Sequence, residues 1–446
     1  MSSEYVLSSA MEKRRVALIR HTLPIVVFFL IVPQAFISAL LFDDYIAMRV
    51  FNSAIIVIFS YYFFFFISRC IFKNFAINPM RSGYITPASI VSFFLIVVLV
   101  LALTAPEVAL FSSLKGAGGQ ELFDARAAFT KGRSGMELVL VYAYAMVLKG
   151  ALPISLILLF GVKDRRRWIF MGLILFALLL SLEKFLTAMI LVPIGIYFYL
   201  IDRKKLLLVF VFLGLGFLTL SSILSGAGSI VEGRSINSLP VKQYAIYHPS
   251  VADQFVRLND NNRLLLSNGF SGGLLKTNLS SQDDYRFALG AAGFLYFFNR
   301  SVWIPFITAY DALKYWDEYH DSRLLWGATS APLAFIFSLP YVNVEQQVFV
   351  YQFGGGEDSA GRSNTAFFID SLINFGWFGV VISSAFCGIL FGWFSRCTHP
   401  AFAASTVVTA YSLANNSLMP MIWSGGILVL ILLALIWRST DNDVSK

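Results

Sequence analysis

Residues 371–394 read SLINFGWFGVVISSAFCGILFGWF, without one charged side chain. A helix over this stretch rises about 1.5 Å per residue and so exceeds the roughly 30 Å hydrocarbon thickness of a bilayer. A helix that is apolar on every side is a membrane span or the core of a large protein, and composition decides between them. Of 446 residues, 57% are hydrophobic and only 13% charged, with a mean hydropathy of +0.72. Soluble domains lie far from these values, so the sequence describes a polytopic, all-α membrane protein. The 44 Phe and 19 Tyr agree, since lipid-facing and interfacial positions accept aromatics.

Working outward, spans are expected at Leu23 to Phe42, Val50 to Ser68, Pro87 to Leu103, Leu138 to Val162, Trp168 to Leu182, Leu186 to Ile201, Leu206 to Leu224, Ser371 to Phe394, Ala401 to Leu418 and Met421 to Trp437. That makes about ten by length. Basic residues fix their orientation. Lys13, Arg14, Arg15 and Arg20 precede the first span; Arg69, Lys73 and Arg81 follow the second; Lys163 and Arg165 to Arg167 follow the fourth; Arg203 to Lys205 follow the sixth; Arg396 and Arg438 follow the eighth and tenth. The positive-inside rule puts all of these, and both termini, in the cytoplasm. Three regions result: 1–224 with about seven spans, a large external loop at 225–370, and 371–446 with about three.

The formal charge of +8 follows from these topological loops, so nucleic acid is not an expected partner. Lys13, Arg14 and Arg15 precede an apolar run too long for a signal-peptide core, which reads as a retained first helix. Cys70, Cys387 and Cys397 lie in or beside apolar spans without metal-ligand spacing. No disulfide, metal site or cofactor is expected.

Candidate chemistry concentrates in the large loop. Phe287 to Phe298 and Leu333 to Tyr341 are apolar but too short to span, and as a re-entrant pair they would bring the embedded segments to about twelve. Ile307 to Leu324 is expected to form an amphipathic helix along the outer surface. Asp311, Lys314, Glu318 and Asp321 share one face of it; Leu313, Trp316 and His320 share another. Asp317, three residues before His320, is spaced to fix an imidazole tautomer, as a general base requires. A histidine hydrogen-bonded only for structure is the competing account, the weightier one for His320 and still more so for His248. After Gly354 to Gly356, Glu357 and Asp358, the run Arg362, Ser363, Asn364 leads into a span; Ser363 or Asn364 is a natural N-cap, and Arg362 beside a helix N-terminus would make an anion site, against the equal claim of an ordinary flexible loop with a capped helix and the opposing charge of Glu357 and Asp358.

Asp370 and Asn374 stand one turn apart at that helix's entry to the membrane. Lys149, with Gly150 and Pro153 following, stands inside the fourth span. Charges at such depth face polar cavities or partners. Arg286, Arg300 and Arg323 in the large loop, with Arg126 and Arg133 in the smaller external loop, add guanidinium groups suited to phosphate oxygens.

The sequence from Arg362 through Asp370 to Asn374, Phe375, Gly376, Trp377, Phe378 and Gly379, with many spans and one large external loop late in the chain, resembles the Wzy-type O-antigen polymerases. The resemblance implies a metal-independent glycosyltransferase of the bacterial inner membrane. Its substrates would be oligosaccharide repeat units on undecaprenyl diphosphate, its surroundings membrane lipid, and its partner a polysaccharide chain-length regulator. Arginines Arg286, Arg300, Arg323 and Arg362 would hold diphosphate or glycan, and His320 or Asp370 would act as base. An O-antigen ligase and a flippase of lipid-linked sugars remain as alternatives.

Overall fold

The computed structural model describes residues 9–73, 75–77, 86–117, 119–130, 132–162, 164–222, 224, 302, 304–353, 362–397 and 399–440. His248, Arg286, Arg300, the apolar piece Phe287 to Phe298, Gly354 to Gly356, Glu357 and Asp358 lie outside the described residues.

The described chain is helical apart from two three-residue strands. Six of its helical stretches are long and apolar enough to cross a membrane: Met11–Leu41, Tyr45–Ile71, Pro87–Thr104, Gly135–Gly161, Lys204–Ser221 and Phe367–Phe394. The protein is embedded in a membrane. Arg167–Ser181, Phe185–Leu200 and Ile427–Ile436 are shorter apolar helices.

Helix α1 (Ser9–Phe42) runs through two prolines, Pro24 and Pro33. Pro33 has no N–H for the carbonyl of Phe29, and the Gln34 side-chain amide donates to that oxygen instead, at 3.0 Å. In hydrocarbon, where no water can do so, such a repair keeps the helix continuous. Helix α2 (Tyr45–Ile71) starts at Asp44, whose carboxylate accepts from the Ala47 N–H. It packs along its length on the helix Phe367–Phe394. Gly388 and Gly392 allow that approach: a Cβ on Gly388 would stand 2.6 Å from the Tyr61 carbonyl oxygen, and one on Gly392 would stand 2.6 Å from Ser68 Cβ. Small residues spaced in this way are the usual means of close helix packing in lipid.

Helix α3 (Pro87–Thr104) leads to the short α4 (Ala109–Leu114) and to α5 (Gly119–Thr130). Next, α6 (Gly135–Met146), a π-helical turn (Val147–Ala151) and α7 (Leu152–Gly161) form one rod. Helices α8 (Arg167–Ser181), α9 (Lys184–Leu200) and α10 (Lys204–Ser222) complete the first part. From the loop region come α11 (Ile304–His320), α12 (Ala331–Ile336) and α13 (Val344–Phe353). The chain closes with α14 (Phe367–Phe394), α15 (Pro400–Leu413), α16 (Leu418–Trp423) and α17 (Ile427–Ile436).

Two expectations change here. The apolar run Met421 to Trp437 is divided between α16 and α17 at Gly425 and Gly426, where Gly426 adopts φ +88°. A Cβ on Gly426 would stand 2.5 Å from the Gly150 nitrogen, so the chain breaks where two backbones touch. The expected charged face of α11 turns inward only at its start: Asp311 is buried and accepts from Gln352 Nε2 at 2.7 Å, whereas Glu318 and Asp321 are exposed, and Leu313 and Trp316 are buried as expected.

The basic segments gather at one end. Arg14 pairs with Asp202 at 3.2 Å, and Arg396 donates to the Arg69 carbonyl at 2.7 Å. Strands β1 (Phe75–Ile77) and β2 (Arg438–Thr440) pair antiparallel, Ala76 opposite Ser439. Loops that carry like charge in sequence thus meet in space, as a shared side of the membrane requires.

Candidate functional site

The site is built on a break in α14. Gly376 has φ +63° and ψ −157°, a conformation that belongs to glycine and interrupts the helix. Backbone N–H groups of the segment after α11 take carbonyls beside the break: Trp326 donates to Asn374 O at 2.9 Å and Leu325 to Ile373 O at 3.2 Å. Gly379 is equally constrained, since a Cβ there would stand 2.3 Å from the Ser371 carbonyl oxygen. Both glycines of the run Asn374 to Gly379 therefore serve one bend.

That bend holds a closed polar knot. Asn374 is buried; its Oδ1 accepts from the Gly327 N–H at 2.9 Å, and its Nδ2 donates to Thr329 Oγ1 at 2.6 Å and to Asp370 O at 2.8 Å. The Thr329 hydroxyl donates to Asp370 Oδ1 at 2.8 Å, and Asn374 Nδ2 reaches the same oxygen at 3.2 Å. With both donors on Oδ1, the other carboxylate oxygen has no hydrogen-bond partner among the described residues. Such a group is oriented to accept a proton.

Glu345 lies beside this knot, and Arg362 lies beyond it, exposed. The charge of Glu345 reaches Asp370, and Arg362 lies within electrostatic reach of Glu345 and Tyr341. Glu345 accepts from Ser417 at 3.3 Å, and its carbonyl accepts from the Ser363 N–H at 2.8 Å. Burial pushes the Glu345 carboxyl above its ordinary value, against the opposing pull of Arg362 and Ser417. Burial likewise raises the Tyr341 phenol although Arg362 opposes it. On the same segments Ser330 Oγ, Gln347 Oε1, Ser363 Oγ and Thr365 Oγ1 are buried without hydrogen-bond partners.

Of the sequence candidates, Asp370 and Asn374 are gathered directly, Arg362 reaches them only through Glu345, and Arg362 and Asn364 are both exposed on the lead-in. The N-cap of α14 is Ala366, not Ser363 or Asn364, and no side chain caps it. Asp370 occupies the first turn, where the positive end of the helix dipole favours a carboxylate.

His320 ends α11 with its ring edge-on to Tyr315 at 5.8 Å and its Nε2 buried without a partner. The expected support from Asp317 is not present, because that carboxylate accepts from Arg49 at 2.8 Å and from the Ser322 hydroxyl. Arg49 lies over the Trp316 ring at 5.0 Å, and Tyr310 donates to Asp44 at 2.6 Å, so this face of α11 is tied to α2. Arg323 is exposed beside Asp321 at 3.8 Å.

Arg133 is 4% exposed and donates to the carbonyls of Leu101 and Thr104 at 3.2 and 2.9 Å, capping α3, and to Glu137. Lys149 sits in the π turn, and Glu183 lies within electrostatic reach of both Lys149 and Arg126. At the basic end a small cavity is lined by Phe160, Trp168, Tyr197 and Phe198 with Arg167 and Arg203; it carries no carboxylate and is remote from this chemistry.

Glu345, Thr329, Ser417 and Glu183 were not anticipated. For Glu345 a signal existed: Asn343 precedes it, and Asn343 Oδ1 accepts from the Gln346 N–H at 3.3 Å as a helix-opening residue does. Thr329 had none, because its partner is 45 residues away.

Comparison with protein-family models, with curated proteins and with solved structures finds no match to this chain.

Proposed function

We propose that this chain polymerises oligosaccharide repeat units carried on undecaprenyl diphosphate, as a multi-pass enzyme of the bacterial inner membrane. In this proposal about ten spans, or twelve with a re-entrant pair, keep both termini in the cytoplasm and residues 225–370 in the periplasm. The observation that carries it is the knot of Asp370, Asn374 and Thr329 beside Glu345, which Arg362 reaches in turn, at the head of a membrane helix. Transfer of a glycan needs a base for the acceptor hydroxyl and positive charge for the departing diphosphate. Asp370 takes the first role and Arg362 contributes to the second. His320, on a neighbouring helix without a carboxylate partner, becomes the lesser candidate for base.

The test supplies purified chain with lipid-linked repeat units and follows the glycan ladder. Asp370→Asn and Arg362→Ala are expected to slow chain growth about a hundredfold or more, the usual weight of one acid–base or charge-stabilising group. A full ladder from both variants sinks this assignment. Transfer of single units to a lipid A core acceptor without any ladder identifies an O-antigen ligase instead. Lys149, a charge inside a span, favours a second reading as a carrier of lipid-linked sugars. A ladder formed in detergent, with no membrane to cross, decides against the carrier.

A further inference from the structure

Lys149 is the single charged residue between Glu137 and Lys163, and it stands on the π turn within the apolar rod Gly135–Gly161. A π turn inserts one residue into the helical ladder, and such turns are kept mainly where they redirect a side chain for use. The turn packs against α9, whose N-cap is Glu183. Glu183 is in turn the carboxylate felt by Arg126 of α5. Two basic side chains thus lie within electrostatic reach of one carboxylate, and with all three ionised the group carries one unit of positive charge. Arg126 Nε is buried without a hydrogen-bond partner among the described residues. A buried guanidinium nitrogen without an acceptor and a lysine at membrane depth are both costly unless an anion completes them.

The same rod leads to the Asp370 knot. Seven residues before Lys149, about 10 Å along a helix, Tyr142 comes within electrostatic reach of Tyr341, which also feels Arg362 and Asp370.

We propose that Lys149 and Arg126 form a binding subsite for the phosphate or diphosphate group of a membrane lipid, with Glu183 as the internal anion that this group displaces. The charge arrangement stands on its own residues; the choice of a lipid-borne phosphate rests on the polymerase proposal and on the depth of Lys149. A carboxylate that only holds the two cations in place and a carboxylate that competes with a ligand make opposite predictions for its removal.

The experiment titrates the full chain in nanodiscs with farnesyl diphosphate, farnesol and inorganic pyrophosphate, reading affinity by thermophoresis. Farnesyl diphosphate is expected to bind, and Lys149→Met or Arg126→Gln to weaken it about tenfold or more, the loss of one charge-assisted contact. Glu183→Gln is expected to tighten it about threefold or more by releasing both cations, and Lys149→Arg to retain it. Farnesol is expected to be indifferent to all four changes. Absence of binding by the unaltered chain, or weaker binding in Glu183→Gln, overturns the subsite. Equal affinity for farnesyl diphosphate and free pyrophosphate overturns the lipid source. Should Lys149→Met fail to fold, Arg126→Gln and Glu183→Gln still decide by their opposite signs. Binding with these signs in a chain that builds no ladder supports the subsite and removes the polymerase; a ladder with unchanged binding in every variant overturns the subsite alone.

Discussion

The two ends of this molecule use the same charged residues under different solvation. At the basic end Arg14 and Asp202 pair with 52% and 67% of their side chains exposed, and Arg166 pairs with Asp164 in the next loop. At the opposite end Arg49 and Asp317 are only 12% and 21% exposed, Asp370 is held by two side chains, and Glu345 by a third. In water a pair gains little because both ions are already solvated; where water is scarce, each ion depends on its partner. The basic end therefore holds charges that solvent already satisfies, while at the other end each charge depends on fixed partners.

Three substitutions sharpen this contrast. Arg49→Ala has the largest expected effect, about 2 to 3 kcal/mol of stability, since it strands Asp317 and removes the cation from the Trp316 ring. Denaturant unfolding in detergent measures it, and a loss below about 1 kcal/mol would place this pair with the solvent-screened ones.

Glu345→Gln has a smaller effect that depends on pH. Because folding raises the Glu345 pKa, the folded state favours the protonated carboxyl. The residue costs nothing while protonated in both states, below about pH 4, and its cost grows as pH rises toward the shifted value and then stays constant. The variant is thus expected to match the unaltered chain in acid and to be the more stable at neutral pH; a difference largest in acid contradicts this sign. The smallest effect belongs to Arg14→Ala, about 0.5 kcal/mol or less, and falling with added salt. A salt-independent loss of several times that size would erase the distinction between the ends.

Much of the fold was legible because span length and loop charge are local properties. The helices Tyr45–Ile71, Pro87–Thr104 and Lys204–Ser222 follow directly from apolar runs between basic or polar breaks. The division at Gly426 was not legible, because it answers to Gly150 on a distant rod, and hydropathy averaging cannot see a contact between two glycines. At the site, Asp370 and Asn374 could be read from their cost in a span and their one-turn spacing. Thr329 could not, since it belongs by sequence to an ordinary loop and acquires its role only when the segment after α11 meets the bend at Gly376; for Glu345 the sequence signalled only a helix opening at Asn343. The assignment of Asp317 to His320 went astray for a related reason: a stronger ligand, Arg49, arrives from another helix.

The Gly150 and Gly426 contact also makes the last helix answerable to the first half of the chain. Any side chain larger than hydrogen at either position forces the backbones apart, and the π turn that presents Lys149 loses the wall against which it rests. The carboxyl-terminal helix thus works as a buttress, and a truncation that removes it is expected to disturb a lysine nearly three hundred residues upstream.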